Sequence, residues 1–97
     1  MQQVILKDLV QDTYTNASGI SFAIQLEKYI KKEEPVEISI SGTSPISSSF
    51  FNSSFGDLIE KYGYDKIKQL IKFTGVNASQ GKLLRNYFDG YSNYNLS

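Results

Sequence analysis

Apolar and polar side chains alternate with period two at Val36, Ile38 and Ile40 against Glu37, Ser39 and Ser41, the pattern of a strand with one buried face. The central strand of a doubly wound sheet would be apolar on both faces, whereas this polar row suits solvent or a partner. Leu70-Ile-Lys-Phe-Thr-Gly75 repeats the pattern, with Ile71 and Phe73 opposite Lys72 and Thr74. Earlier in the chain, the short branched run Val4–Leu9 predicts another strand, and the polar run Gln11–Ser18 predicts a loop.

Period-3.6 patterns fill the intervals. From Ile20 to about Lys32, Phe22, Leu26, Tyr29 and Ile30 share one helix face while Glu27, Lys28, Lys31 and Lys32 point away. Ser18 or Ser21 can cap this helix, and Pro35 ends it. Phe51, Phe55, Leu58, Ile59 and Tyr62 predict a second helix from about Ser49 to Tyr62, stopped by Gly63, with Asn52, Ser53, Asp57 and Glu60 on its outer face. Leu83, Leu84, Tyr87, Phe88 and Tyr91 predict a third, from about Ala78 to Tyr91.

Strand, helix and strand of this length are most simply joined as a right-handed crossover between neighbouring parallel strands. The expected fold is therefore α/β: a small two-layer sandwich, with a mixed sheet of three to four strands and three main helices mostly on one face. Residues 1–91 form one domain in this reading, and 92–97, which lack periodicity, form a frayed tail.

Composition narrows the function. The 97 residues hold no cysteine and no histidine, which removes thiolate and imidazole chemistry, disulfides and the usual metal ligands. Ten basic and ten acidic side chains cancel, so no net field attracts nucleic acid or an anionic membrane. No apolar window approaches a membrane span and no signal segment opens the chain, so the expectation is a cytoplasmic protein. Gly42, Gly56 and Gly63 lack the spacing of a phosphate loop, and Asp57 and Glu60 stand without a predicted pocket. Neither enzyme activity nor a cofactor or metal is expected. Lys61, Lys66, Lys68 and Lys72 suggest a basic strip, but Glu60 and Asp65 interrupt it, as on an ordinary solvated face.

What chemistry remains concentrates where the strand Val36–Ile40 passes through a tight turn into Ser47, Ser48 and Ser49. Backbone amides and the positive end of a helix dipole converge there. One serine suffices for an N-cap, which leaves two hydroxyls over. A phosphoryl group on Ser48 would sit favourably at the helix start and add nearly two negative charges to a neutral surface, enough to switch docking of a partner.

The pattern Ser41-Gly-Thr, then Ile46-Ser-Ser-Ser-Phe-Phe51, then Phe55-Gly-Asp-Leu-Ile59, with Ile71-Lys-Phe73 after it, resembles the STAS-like family of small bacterial domains. These are similar to the STAS domains of anti-anti-sigma factors, and the likeness runs from about Val4 to Phe88. In that parent family the turn usually reads Asp-Ser-Ser-Gly, and its first serine is phosphorylated by a partner kinase of the histidine-kinase-like ATPase type. The resemblance puts Ser48 at the phosphoacceptor position, with Ser47 in place of the aspartate and Phe50 in place of the glycine. Gly19 also matches, while the arginine that relatives carry shortly before the first helix is absent from Thr15–Gly19.

The resemblance implies a regulatory protein-interaction domain, bacterial or phage-borne, that acts as an anti-sigma factor antagonist does. Its contact surface would comprise Ser47, Ser48, Ser49, Phe50, Asn52 and Ser53, and its partner would be a histidine-kinase-like ATPase. Two other readings stay open. One is a small-ligand or phosphate sensor using the same helix N-terminus. The other is an unswitched module that oligomerises or sequesters a host factor, since an open strand edge leaves a homodimer open.

Overall fold

Three short parallel strands form the sheet in the computed structural model, which describes residues 2–95. They are β1 (Gln2–Ile5), β2 (Val36–Ser39) and β3 (Ile71–Thr74), in the order β1-β2-β3. Val36 pairs with both Gln2 and Ile71, and Ile38 with both Val4 and Phe73, so the apolar positions of β2 and β3 align on one face. Val36, Ile38 and Ile40 are fully buried, while Glu37 and Ser39 are half-buried and Lys72 is exposed. Among the described residues the sheet is parallel throughout rather than mixed, and there is no fourth strand.

The predicted N-terminal strand is displaced. Its pairing ends at Ile5, and Leu6–Leu9 turn into a short helix, α1, which drives Leu6 into the core. A run as short as Val4-Ile-Leu carries no periodicity that separates the two states.

Helix α2 (Asn16–Lys31) begins before the predicted Ile20 because its cap lies further upstream than Ser18 or Ser21. Thr15 Oγ1 accepts from the Ser18 N–H at 3.2 Å. Asp12 Oδ1 holds the approach, accepting from the N–H groups of Tyr14 and Thr15 and from the Thr15 hydroxyl. Burial would raise the Asp12 carboxyl, but these bonds outweigh it and hold the group below its ordinary value. Phe22, Leu26 and Ile30 fill one face of α2.

The second predicted helix is continuous from Ser48 to Tyr62 but changes pitch. It runs as α3 (Ser48–Phe51), a π-helical turn (Asn52–Gly56) and α4 (Asp57–Tyr62). Buried Ser54 donates its hydroxyl to the Phe50 carbonyl at 2.8 Å, a back-bond that satisfies the oxygen within the apolar core. With this geometry Phe50, Phe51, Phe55, Leu58 and Ile59 are all buried. Gly63, at φ +95°, ends α4 as expected.

A helix that the alternating pattern did not predict, α5 (Tyr64–Leu70), leads into β3 and buries Ile67 and Leu70. The last helix, α6 (Ala78–Asn95), continues past Tyr91 through part of the expected tail; Leu96 and Ser97 lie outside the described residues. Leu84 and Phe88 of α6 complete the core, with Phe88 edge-on to Phe51 at 4.9 Å between ring centroids.

Candidate partner-docking surface

The loop between β2 and α3 is fixed from three sides. Ser47 N–H donates to the Thr13 carbonyl at 3.0 Å, and buried Thr13 donates its hydroxyl to the Ser44 carbonyl at 3.0 Å. From α6, the Tyr87 hydroxyl reaches the Ile46 carbonyl at 3.1 Å. On the strand side, Thr43 Oγ1 donates to the Ile40 carbonyl at 2.7 Å, closing the turn at Gly42, where φ is +78°.

Ser47 is the cap. Its Oγ accepts from the Phe50 N–H at 3.1 Å and donates to the Tyr14 carbonyl at 3.0 Å, so both capacities of the hydroxyl are used inside the protein. Ser48 and Ser49, on the first turn of α3, are exposed. The division of labour among the three serines follows: one organises the helix start, and two face outward. Because Ser47 takes the Phe50 amide, that amide is not available to a bound anion.

The remaining predicted contact residues divide. Phe50, expected on the surface, is fully buried, its ring stacked on Phe22 at 6.0 Å. It therefore supports the turn from beneath and offers no contact area. Asn52 is exposed, with its Oδ1 accepting from the Tyr91 hydroxyl at 2.7 Å. Half-buried Ser53 donates to Asn16 Oδ1 at 3.0 Å and ties the π-helical turn to the start of α2.

Beside this surface lie apolar side chains that the sequence reading did not single out. Tyr14, Ile20 and Ile24 are 61%, 53% and 66% exposed. Ile20 and Ile24 form one wall of a groove of about 470 Å³, with Asn52, Ser53, Asp57 and Glu60 along the other. Their signal was present: they repeat at i, i+4 but stand two residues out of phase with the buried series Phe22, Leu26 and Ile30.

At the far end of the groove, the Tyr62 hydroxyl donates to Glu27 Oε2 at 2.8 Å. That bond is the main cause holding the Glu27 carboxyl below its ordinary value, against burial and with help from Lys61. Lys61 lies 3.6 Å from Glu27 and 3.8 Å from Asp57, and Lys66 lies 3.1 Å from Glu33. Half of the basic strip is thus spent on ion pairs and does not form a continuous cationic face. Among the described residues, no acidic cluster is placed to hold a metal ion, and no helix is long and apolar enough to cross a membrane.

Residues 18–80, from the first turn of α2 through the serine segment to the start of α6, match the family model of a STAS-like domain of unknown function (DUF4325). The chain belongs to that STAS-like family. The matched span contains β2, β3 and the whole helical segment between Ser48 and Leu70, so the strand-to-helix junction of the STAS-like domain lies well inside it. No curated protein and no solved structure matches the chain.

Proposed function

We propose that this STAS-like domain is a regulatory, non-enzymatic module of the cytoplasm that docks a protein partner through the surface carrying Ser48 and Ser49. Phosphorylation of Ser48 releases the partner, which is of the histidine-kinase-like ATPase type. The observation that supports this is the split at the start of α3: Ser47 alone satisfies the cap, and the next two hydroxyls are exposed.

A phosphoryl group on Ser48 would meet the positive end of the helix, a placement worth about 0.3–1 kcal/mol. Modification is therefore compatible with the folded domain. It would at the same time put a near-dianion on the exposed first turn of α3, next to Ser47 and the Tyr14 backbone that it holds, where an apolar contact would be opposed by desolvation and repulsion. The same reading takes the domain as a two-layer sandwich, supported by the full burial of Val36, Ile38 and Ile40 on one face of β2 and its continuation.

Site-specific photocrosslinking in the native host tests the docking surface. A benzophenone at Ser49 should trap a defined ATPase partner, the same group at exposed Lys82 should not, and Ser48→Asp should abolish the adduct. Equal crosslinking at both positions, or a Ser49 adduct indifferent to Ser48→Asp, would overturn the reading.

A further inference from the structure

We infer that the open edge of β3 is a second docking surface, which takes an extended acidic segment of a partner protein as an added strand. It is independent of the serine surface and shares no residue with it.

The strand geometry supplies the first half of the argument. The Thr74 carbonyl accepts from the Ile40 N–H at 3.0 Å, so Thr74, and with it Lys72, turns its backbone groups toward β2. Successive residues of a strand point their N–H and C=O groups to opposite sides. Phe73 therefore aims both of its groups away from β2, and so does the carbonyl of Ile71, whose N–H is already donated to the Ile67 carbonyl at the end of α5. No described strand pairs with that side. An open edge of this kind is a template for strand addition.

Side chains supply the second half. Along the same edge runs a groove of about 250 Å³ between β3 and α6, with Ile71, Phe73, Leu84 and Phe88 among its apolar lining. Lys68 and Arg85 line it against a single acid, Asp89. Lys68 Nζ lies 5.2 Å from the Phe88 ring centroid, which places a cation directly over the apolar lining. Exposed Lys72 adds a positive charge on the strand itself, with half-buried Glu37 as its register partner on the β2 side and, among the described residues, none on the open side. An incoming strand would set alternate side chains over the groove and the rest beside Lys72. Apolar residues alternating with carboxylates satisfy both rows, which commits the occupant to an acidic, extended peptide. This also gives a role to Lys68 and Lys72, the half of the basic strip that Glu27, Asp57 and Glu33 do not neutralise.

The test uses the full chain and a short fluorescent peptide of alternating valine and glutamate, with three comparisons: a valine and lysine peptide, a valine and glutamate peptide with alternate amides N-methylated, and the Lys72→Glu protein, which reverses the charge that the carboxylate row faces. The acidic peptide should bind saturably and slow hydrogen exchange at the Phe73 amide. N-methylation should abolish binding, because it removes the donors of the added strand. Charge reversal should weaken the acidic peptide by at least about tenfold and strengthen the basic one. Circular dichroism checks that the variant is folded, and Lys72→Gln, a milder change at an exposed position, should give a loss in the same direction. Equal binding of the two peptides, insensitivity to N-methylation, shifts confined to the Ser48 surface, or concentration-dependent self-association that protects Phe73 without peptide would each overturn the proposal.

Discussion

The Ser47 hydroxyl accepts the Phe50 amide hydrogen at 3.1 Å while Phe50 itself is fully buried, so the cap and the core anchor of α3 lie within one turn. That relationship separates the three serines by role. Ser47→Ala removes the cap and should cost about 0.5–2 kcal/mol of stability. Ser48→Ala and Ser49→Ala, which touch exposed side chains, should stay within about 0.5 kcal/mol of the parent. Urea denaturation of the three variants checks the order, and equal losses would contradict it.

Gly19 sets two helix effects against each other. Glycine inside a helix normally costs about 0.5–1 kcal/mol relative to alanine, so Gly19→Ala in α2 would stabilise an isolated helix. Here a Cβ would fall 2.7 Å from the Phe50 carbonyl oxygen and 2.8 Å from Ser53 Cβ, and a backbone atom cannot swing aside. Overpacking of this kind costs about 1–3 kcal/mol. The variant should be destabilised overall, with a lower urea midpoint; a higher midpoint would show that α2 and α3 are less tightly apposed.

Periodicity marks the elements whose apolar face is long enough to carry a phase. β2 and β3 stood out by strict alternation, and α2, the Ser48–Tyr62 segment and α6 by their i, i+4 series. The misses are short or governed by side-chain to backbone bonds. Leu6–Leu9 is a single turn, and α5 is masked because Leu70 also fits the following strand, although Tyr64, Ile67 and Leu70 repeat at i, i+3. The start of α2 is decided by Asp12 and Thr15, whose hydrogen bonds do not register in hydrophobic phase. At the site, the serine cluster is legible as a helix start. Burial of Phe50 is not: the apolar series is counted from Phe51, and the resemblance sets Phe50 in place of a surface glycine, whereas the core takes Phe50 together with Phe51 and Phe55 at the entry to the π-helical turn.

Tyr62 and Glu27 should couple stability to pH at both ends of the range. The Tyr62 hydrogen bond is the chief cause holding Glu27 below 4.5, so its stabilising contribution is complete above that value and is lost as pH falls through the lower folded pKa. The same bond raises Tyr62 above 10.0, so that contribution is complete below 10.0 and is lost as pH rises through the higher folded pKa. Melting temperatures of the parent and Tyr62→Phe should differ by a constant amount near neutral pH and converge as pH falls through the lowered pKa of Glu27 and as it rises through the raised pKa of Tyr62. A difference that persists unchanged to low pH would show that Tyr62 acts only through packing.

The most direct measurement is intact-mass analysis of the domain after incubation with ATP and an extract of its native host, followed by fragmentation to locate any modification. A single added phosphoryl group on Ser48 is predicted, present in the parent and in Ser49→Ala and absent from Ser48→Ala. An unmodified protein, or a phosphoryl group on Ser47, whose hydroxyl is engaged in the cap, would contradict the switch.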